Sequence, residues 1–278
     1  MNNEKKEALV ERWHREAEVE GAQKAQFRLG TRYATGLGVA RDDAEAVKWF
    51  AKAAAQGHAG AQLHLGRMYA EGRGISKNAT LAFECLLKAA EQGEAGAQYE
   101  LGLMSLNGIE GGPDPDEALG WFSKAADQDN PGALYQMGLL YVDGSGMLSD
   151  PVMALDCFQR AAEQGHVDAQ YHLGRMFLDG IGVSRDECCA LGWFRKAADK
   201  GQAQAQYSLG RCLEQGWGVV QNYVRAYAWY SVAAVRLEQA RPARDHLASL
   251  MLPEQLLQGQ QLAEEMHALA LAGETAPE

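Results

Sequence analysis

The sequence predicts an all-α solenoid of six helix-turn-helix repeats of 36 residues, with capping helices at both ends. The first observation is a glycine that recurs without a slip at Gly30, Gly66, Gly102, Gly138, Gly174 and Gly210. The second is another glycine, six residues later in each repeat, at Gly36, Gly72, Gly108, Gly144, Gly180 and Gly216. The third is helical spacing of the apolar residues between these markers. A fixed period of this length indicates stacked two-helix units rather than two globular domains.

The repeats tile residues 21–236 as 21–56, 57–92, 93–128, 129–164, 165–200 and 201–236. Residues 1–20 precede them and resemble a lone second helix, because Trp13 lies 36 residues before Trp49. After residue 236 the repeat register fails, so residues 237–278 are predicted to be a C-terminal cap. We expect one cap helix over 237–250, a second beginning near Pro253, and a frayed tail over 273–278.

Each repeat contains a helix A and a helix B. In the first repeat, helix A covers about residues 22–34 and ends at Gly36, where glycine adopts a left-handed conformation without strain. Helix B begins after a side chain suited to N-capping, at Asp42, Asn78, Asp114, Asp150, Asp186 and Asn222. The Gly30-type position is small enough to let the two helices approach closely. A bulky side chain at Gly138 is therefore expected to overpack the crossing.

Composition and charge restrict the class of partner. The net charge of −11 argues against a nucleic-acid partner, which needs a basic face. The sequence shows no signal peptide and no apolar run of membrane-span length. We therefore expect no membrane insertion, a cytoplasmic location as written, and a periplasmic or exported one if a leader was trimmed. A monomer is favoured, although the sequence leaves the oligomeric state open.

No catalytic or metal-binding pattern rises above background. His58 and His64 are six residues apart, as are His166 and His172, and six helical residues turn about 600°, which predicts different faces rather than a shared metal. Of the adjacent Cys188 and Cys189, one is expected to face solvent and one to pack. Cys85 and Cys157 occupy the tryptophan position of helix B and are predicted to be core side chains. We predict no catalytic residue, no cofactor and no metal, and therefore no enzyme.

The repeat resembles a known family. Its pattern A-Q-x-x-L-G-x-x-Y-x-x-G-x-G-V, then D, then A-x-x-W-F-x-K-A-A-x-Q-G, is similar to the Sel-one-like repeat, a relative of the tetratricopeptide repeat found in many bacterial proteins. The resemblance implies a right-handed α/α superhelix with the A helices lining its concave side. It also implies a non-enzymatic adaptor or scaffold that binds a protein or peptide.

The predicted binding groove comes from helix A positions opposite the buried side. A ladder at the Phe27 position, mostly aromatic, has two interpretations: packing against the next helix A, which is favoured, or facing a ligand. The positions of Thr31, Ala34 and Thr35 vary among the repeats. In repeats 3 and 4 they include apolar side chains, and arginines flank these repeats, a combination typical of a protein-binding surface. The predicted site comprises Tyr99, Leu103, Leu106, Tyr135, Leu139, Val142, Arg67, Tyr171, Arg175, Asp179, Tyr207 and Arg211. Alternatively, superhelical curvature buries these leucines.

Two narrower functions stay open beside the adaptor. The chain is alternatively an immunity-type inhibitor that neutralises a secreted toxin or effector by binding it. A second alternative is an accessory or co-chaperone adaptor to an enzyme, although the sequence lacks a J-type His-Pro-Asp motif.

Overall fold

The computed structural model describes residues 3–18, 22–108, 112–144 and 149–272. Within these residues the chain forms fifteen α-helices and no β-strand, which confirms the predicted all-α class. The helices are α1 (Asn3–Glu18), α2 (Gln23–Thr35), α3 (Asp43–Ala55), α4 (Ala59–Glu71), α5 (Ala79–Glu91), α6 (Ala95–Asn107), α7 (Pro115–Ala126), α8 (Pro131–Asp143), α9 (Pro151–Glu163), α10 (Val167–Asp179), α11 (Glu187–Asp199), α12 (Ala203–Gln215), α13 (Tyr223–Ala233), α14 (Ala240–Leu250) and α15 (Pro253–Ala272). Even-numbered helices from α2 to α12 are the A helices, and odd-numbered helices from α3 to α13 are the B helices.

The helices pack in chain order, as a solenoid requires. The chain divides between Ala133 and Leu134 into two compact units. In the first unit α1 packs on α2, and α2 to α7 pack as consecutive neighbours. In the second unit α9 to α13 pack as consecutive neighbours, and both α14 and α15 pack on α13.

The predicted helix ends are confirmed. Gly36 follows α2 with a left-handed φ of 74°, and its N–H donates to the Arg32 carbonyl at 2.8 Å. The Asp42 carboxylate accepts hydrogen bonds from the Ala44 and Glu45 amides, at 3.0 Å each, and so caps α3. Each of the other five predicted capping side chains also accepts a backbone N–H of its B helix. Local sequence therefore sets where most of these helices begin and end.

The recurring helix A glycine lies where helix A crosses helix B. A Cβ atom added at Gly30 would lie 2.7 Å from Cδ1 of Phe50, and one at Gly138 would lie 2.6 Å from Cε1 of Phe158. Both phenylalanine rings are fully buried. Since a real Cβ does not approach another atom so closely, these crossings have room only for glycine.

Buried glutamines join consecutive repeats. In the first repeat, Gln26 Nε2 donates to the Ala17 carbonyl at 3.1 Å, and Gln26 Oε1 accepts from Gln56 Nε2 at 2.8 Å. We call such a pair, with its backbone acceptor, a glutamine rung. Equivalent pairs occur as Gln62 with Gln92 at 2.7 Å and Gln98 with Gln128 at 3.0 Å. Each rung satisfies a buried amide that would otherwise cost free energy.

The N-terminal helix covers the first repeat as predicted. Ala17 of α1 is fully buried in a cluster with Leu29 and Trp49. The Arg32 guanidinium lies 3.4 Å from the centroid of the Trp13 ring. This contact explains why an arginine interrupts the apolar stripe of α2, because a guanidinium stacks well on an aromatic face.

The C-terminal cap also forms two helices, but the first begins later than predicted. The prediction of a helix over 237–250 was wrong at its start, because α14 begins at Ala240 after a turn. In α15 Met266 is buried, while the carboxylates predicted to face solvent, Glu254, Glu264 and Glu265, are exposed. The predicted frayed tail lies outside the described residues. Among the described helices, none has both the length and the apolarity needed to cross a lipid bilayer.

Candidate functional site

The candidate site is the side of the A helices that faces away from the B helices. The Gly30-type glycine presses one side of each A helix against a phenylalanine or another large side chain of helix B. The positions of Thr31, Ala34 and Thr35 lie elsewhere around the same helix, and none of the three is buried. The fold therefore leaves these positions free to vary from repeat to repeat.

In the first compact unit the ladder packs between consecutive A helices. The Phe27 ring stacks on the His58 ring at 4.4 Å and lies 5.8 Å from the Phe50 ring. Tyr99 lies 6.0 Å from the Phe122 ring, and a Cβ added at Gly132, at the start of the next A helix, would lie 3.1 Å from the Tyr99 ring. These side chains therefore fill the space between neighbouring repeats.

The second unit repeats the arrangement with tyrosines. Tyr135 stacks on His166 at 4.6 Å and lies 5.9 Å from Phe158. Tyr171 lies 6.1 Å from the ring of Phe194. Tyr207 lies 5.4 Å from the Tyr230 ring. All three tyrosines are half-buried. These contacts favour the packing interpretation of the ladder, while contact with a ligand stays a prediction.

The two histidine pairs do not point to different faces, as their spacing predicted. His58 precedes α4 as its N-cap, and its Nδ1 accepts the Ala61 amide at 3.3 Å. It therefore does not follow the 100° helical turn, and the rings of His58 and His64 both contact Phe27. The expectation that each pair points to different faces was wrong, because one member of each pair is a cap residue. His166 and His172 converge on Tyr135 in the same way.

The predicted apolar centre is only partly exposed. Leu103 and Leu106 are half-buried on α6, in the first unit. Leu139 is half-buried on α8, in the second unit, while Val142 on the same helix is 40% exposed. The partial burial fits both the binding surface and the alternative in which curvature covers the leucines. Val142 is the most accessible apolar side chain of the four.

The predicted flanking arginines carry contacts of their own. Arg67 Nε donates to Glu100 Oε1 at 2.8 Å, which joins α4 to α6. Arg175 lies 3.4 Å from Asp179 on the same helix, so two predicted site residues are brought together. The Arg211 guanidinium lies 5.1 Å from the Trp217 ring centroid. These exposed contacts are individually weak and can exchange for contacts to a partner.

Sequence reasoning missed Glu100 as a member of this surface. It lies 33 residues after Arg67, three short of the repeat period, on the adjacent A helix. The opposite charges of Arg67 and Glu100 on neighbouring A helices were the sequence feature that could have indicated this pair.

Burial lowers the pKa of two histidines near this face. Burial lowers the pKa of His64, and the nearby Arg67 lowers it further. Burial likewise lowers the pKa of His172, with Arg175 acting in the same direction and Asp168 in the opposite one. Both rings are therefore neutral at pH 7 and serve as stacking partners, His64 on Phe50 at 5.0 Å and His172 on Phe158 at 5.1 Å.

The cysteines divide into packing and surface side chains. Burial raises the pKa of Cys157 and of Cys212 to about 11, so these thiols stay protonated at neutral pH. Cys85, predicted to be core, is only half-buried. Cys188 and Cys189 are both exposed, so the expectation that one of them packs was wrong. The cause is their place in the first turn of α11, where the chain has just left the loop.

Over the described ranges, no group of three or more His, Cys, Asp or Glu side chains is placed to hold a metal ion.

The fold and the exposed A-helix face define a class of protein: a two-helix repeat solenoid of the kind that presents a surface to other proteins. The Sel1 repeat family model matches residues 23–58, 59–94, 95–130, 131–166, 167–202 and 203–234. The chain belongs to the Sel1 repeat family, as the sequence pattern predicted. Sel1 repeats are protein-interaction modules.

Solved structures agree with this assignment. A Sel1 repeat protein from Oxalobacter formigenes is 34% identical, with a TM-score of 0.69 over 76% of this chain and 85% of that one. The protein c5321, a protective antigen of uropathogenic Escherichia coli strains with an SLR fold, is 30% identical, with a TM-score of 0.62. That match covers 95% of this chain, and the chain spans 65% of the length of that antigen. No match was found among curated proteins.

A third structure is more distant. The immunity protein Pa5087 from Pseudomonas aeruginosa is 22% identical, with a TM-score of 0.48, over 77% of this chain and 81% of that one. Identity and TM-score at this level support no inference about function.

Proposed function

We propose that this chain is a non-enzymatic scaffold that binds a protein or peptide on the exposed face of its A helices. The observation that carries the proposal is the contrast around each A helix. One side is held by glycine at the crossing with helix B, while the positions of Thr31, Ala34 and Thr35 elsewhere around the helix vary among the repeats. Membership of a family of protein-interaction modules supports the same conclusion.

In each of the two units, the contact surface that we propose combines apolar side chains with charged ones. Leu103 and Leu106 in the first unit and Leu139 and Val142 in the second supply the apolar part. Interfaces gain most of their affinity from such desolvated centres, while charged rims contribute mainly to specificity. The ladder tyrosines are half-buried against neighbouring rings and keep part of their surface accessible: Tyr99, Tyr135, Tyr171 and Tyr207.

The test is partner capture from the source cell by the full chain and by surface variants. Leu103→Glu with Leu139→Glu is expected to abolish capture, because buried carboxylates in an apolar contact are strongly unfavourable. Val142→Glu is the milder variant, since its side chain is already 40% exposed and the change does not disturb the core. Circular dichroism on each variant verifies that the helices are retained.

Leu252→Glu is the matched control, because Leu252 is 66% exposed and lies between α14 and α15, outside the proposed surface. Capture should survive this change. Capture that persists in the Leu103/Leu139 double variant and in Val142→Glu would show that the surface is wrongly assigned. A tight one-to-one complex with a toxin encoded beside the gene would narrow the proposal to the immunity-type role.

A further inference from the structure

The fourth repeat has Leu134 at the position of the buried glutamine and so has no glutamine rung, whereas the fifth repeat keeps the glutamine but lacks its partner. Gln170 is 4% exposed, and its Nε2 donates to the Ala162 carbonyl at 3.1 Å, as in the other rungs. The position 30 residues later holds Lys200 instead of glutamine. Lys200 Nζ donates to the Gly165 carbonyl at 3.0 Å. Gln170 Oε1 is therefore buried without a hydrogen-bond partner in the described part of the chain.

A second buried acceptor belongs to the same repeat. Asp199 Oδ1 is buried and also lacks a hydrogen-bond partner among the described residues. Burial raises the pKa of Asp199, and Arg195 opposes this effect only in part. A cation close to this carboxylate would stabilise its ionised form. Two unsatisfied acceptors within one cleft are unusual, because buried polar groups are nearly always paired.

Both acceptors line one cleft of about 730 Å³, formed where α9 and α11 end and α10 begins. Glu163, Trp193, Lys196 and Lys200 also line it. The two lysines are engaged, since Lys196 Nζ lies 3.8 Å from the centroid of the Trp193 ring and Lys200 Nζ contacts Gly165. The groups of the cleft that lack a partner are therefore acceptors rather than donors.

We propose that this cleft binds a guanidinium group, supplied by an arginine side chain of a partner. A guanidinium offers five N–H donors in a planar fork, so one group can serve Gln170 Oε1 and Asp199 Oδ1 together. The chain's net charge of −11 favours a basic partner. The inference does not depend on the proposed A-helix surface, because none of the residues that line the cleft belongs to that surface.

The third repeat provides a matched control within the same chain. The counterparts of Glu163, Gln170, Trp193, Lys196 and Asp199, each 72 residues earlier, are Glu91, Gln98, Trp121, Lys124 and Asp127. Lys124 Nζ lies 4.0 Å from the Trp121 ring, much as Lys196 covers Trp193. The counterpart of Lys200, however, is Gln128, which donates to Gln98 Oε1 at 3.0 Å. The third repeat therefore has the same residue types around a satisfied glutamine, and it differs in that Asp127 is exposed where Asp199 is half-buried.

The experiment observes the indole N–H signals of the full chain labelled with ¹⁵N-tryptophan. Trp193→Phe and Trp121→Phe assign the two signals. The probes are N-acetyl-L-arginine amide, N-acetyl-L-lysine amide and free L-arginine, at matched ionic strength. We expect the arginine amide to move the Trp193 signal saturably, with a dissociation constant on the order of 1 mM for a ligand of this size. The Trp121 signal should not respond.

Variants at one position separate the site from its surroundings. Lys200→Gln supplies the missing donor and is expected to weaken binding at least tenfold, a change of about 1.4 kcal/mol. Lys200→Met removes the lysine without supplying a donor and should retain binding. Gln128→Lys should create a response at Trp121. Free L-arginine should also bind, and its affinity relative to the amide tells whether the cleft prefers the amino acid or a side chain within a peptide.

Three results would overturn the proposal. The first is no saturable shift of the Trp193 signal, which would mean that the cleft holds only solvent. The second is an equal response to the lysine amide, which would mean that any cation is accepted. The third is unchanged binding by Lys200→Gln, which would remove the unsatisfied glutamine from the explanation.

Discussion

The third and fifth repeats place the same side chains around a buried glutamine and yet differ in its hydrogen bonding. In the third repeat Gln98 donates to the Ala90 carbonyl at 3.2 Å and accepts from Gln128 at 3.0 Å. In the fifth, Gln170 keeps the backbone bond but loses the second one, because Lys200 replaces the donor. One exchange at an exposed position thus changes a buried group 30 residues away. The positions that determine the fold of a repeat are therefore not the ones that determine whether its buried glutamine is fully hydrogen-bonded.

The two repeats also share a pair of helical glycines that test which positions the fold requires. A Cβ at Gly174 would lie 2.7 Å from Phe194 Cδ1 and 3.2 Å from the Ala190 carbonyl. A Cβ at Gly192, on the B helix of the same repeat, would meet nothing within 4 Å. The third repeat has the same contrast between Gly102, which is packed against Phe122, and the open Gly120.

Gly174→Ala should therefore lower the free energy of unfolding by about 1–3 kcal/mol, through overpacking against Phe194. Gly192→Ala is the matched control and should raise it by about 0.5–1 kcal/mol, because alanine is the better helix former. Urea unfolding followed by circular dichroism measures both changes. Equal effects at the two glycines would refute the close crossing as the reason for the recurring residue.

Exchanging the rung residues between the repeats should change stability in opposite directions. Lys200→Gln gives Gln170 Oε1 a donor and should raise the free energy of unfolding by about 1 kcal/mol. Gln128→Lys leaves Gln98 Oε1 without its donor and should lower it by about 1–3 kcal/mol. The variants lie in different repeats, so the double variant should show the sum of the two effects.

Unfolding midpoints in urea compare the two single variants and the double variant with the parent chain. A destabilising Lys200→Gln would mean that the lysine contact to Gly165 contributes more than the completed rung. That outcome would contradict the expectation that the unpaired Gln170 Oε1 destabilises the fifth repeat.

The sequence predicts helices well and contacts between helices poorly, and the cause is physical. Gly36 and Asp42 act on the backbone within a few residues, so their roles as helix end and N-cap follow from residue type and position. The rung partner of Gln98 and the ion pair of Arg67 with Glu100 depend on the direction of side chains across a helix interface. A period of 36 residues identifies equivalent positions but not which of them touch.

The candidate surface shows the same division. Sequence variation among the A helices singled out positions away from the B-helix crossing, and their role in binding stays a prediction. It did not show that Tyr99 and Tyr135 pack against the next repeat. An aromatic residue that recurs once per repeat gives the same sequence pattern whether the ladder binds a ligand or packs against its neighbours. The contacts with Gly132 and His166 favour packing, the interpretation that the sequence also favoured.

The smallest expected difference between the two repeats is their response to acid. The fifth repeat has His166 and His172 where the third has Glu94 and Glu100. Burial lowers the pKa of both histidines, and His166 Nδ1 accepts the Ala169 amide at 3.2 Å, which requires that this nitrogen be unprotonated. The unfolded chain therefore takes up protons as pH falls through about 6.5, before the folded chain does, so the stability that the neutral rings contribute is lost on acidification.

His166→Asn with His172→Phe should remove this part of the pH dependence while keeping the fold. Asparagine already caps α8 in the fourth repeat, where Asn130 Oδ1 accepts the Ala133 amide at 3.0 Å, and phenylalanine retains the ring that stacks on Phe158. Urea unfolding at pH 7, 6 and 5 should show a smaller loss of stability in this variant than in the parent chain. The carboxylates that face the histidines, including Asp168 and Asp143, are present in both the variant and the parent chain, so the difference between the two curves isolates the rings. Parallel curves would mean that the histidines titrate alike in the folded and unfolded chains, and that burial in the fifth repeat does not distinguish it from the third.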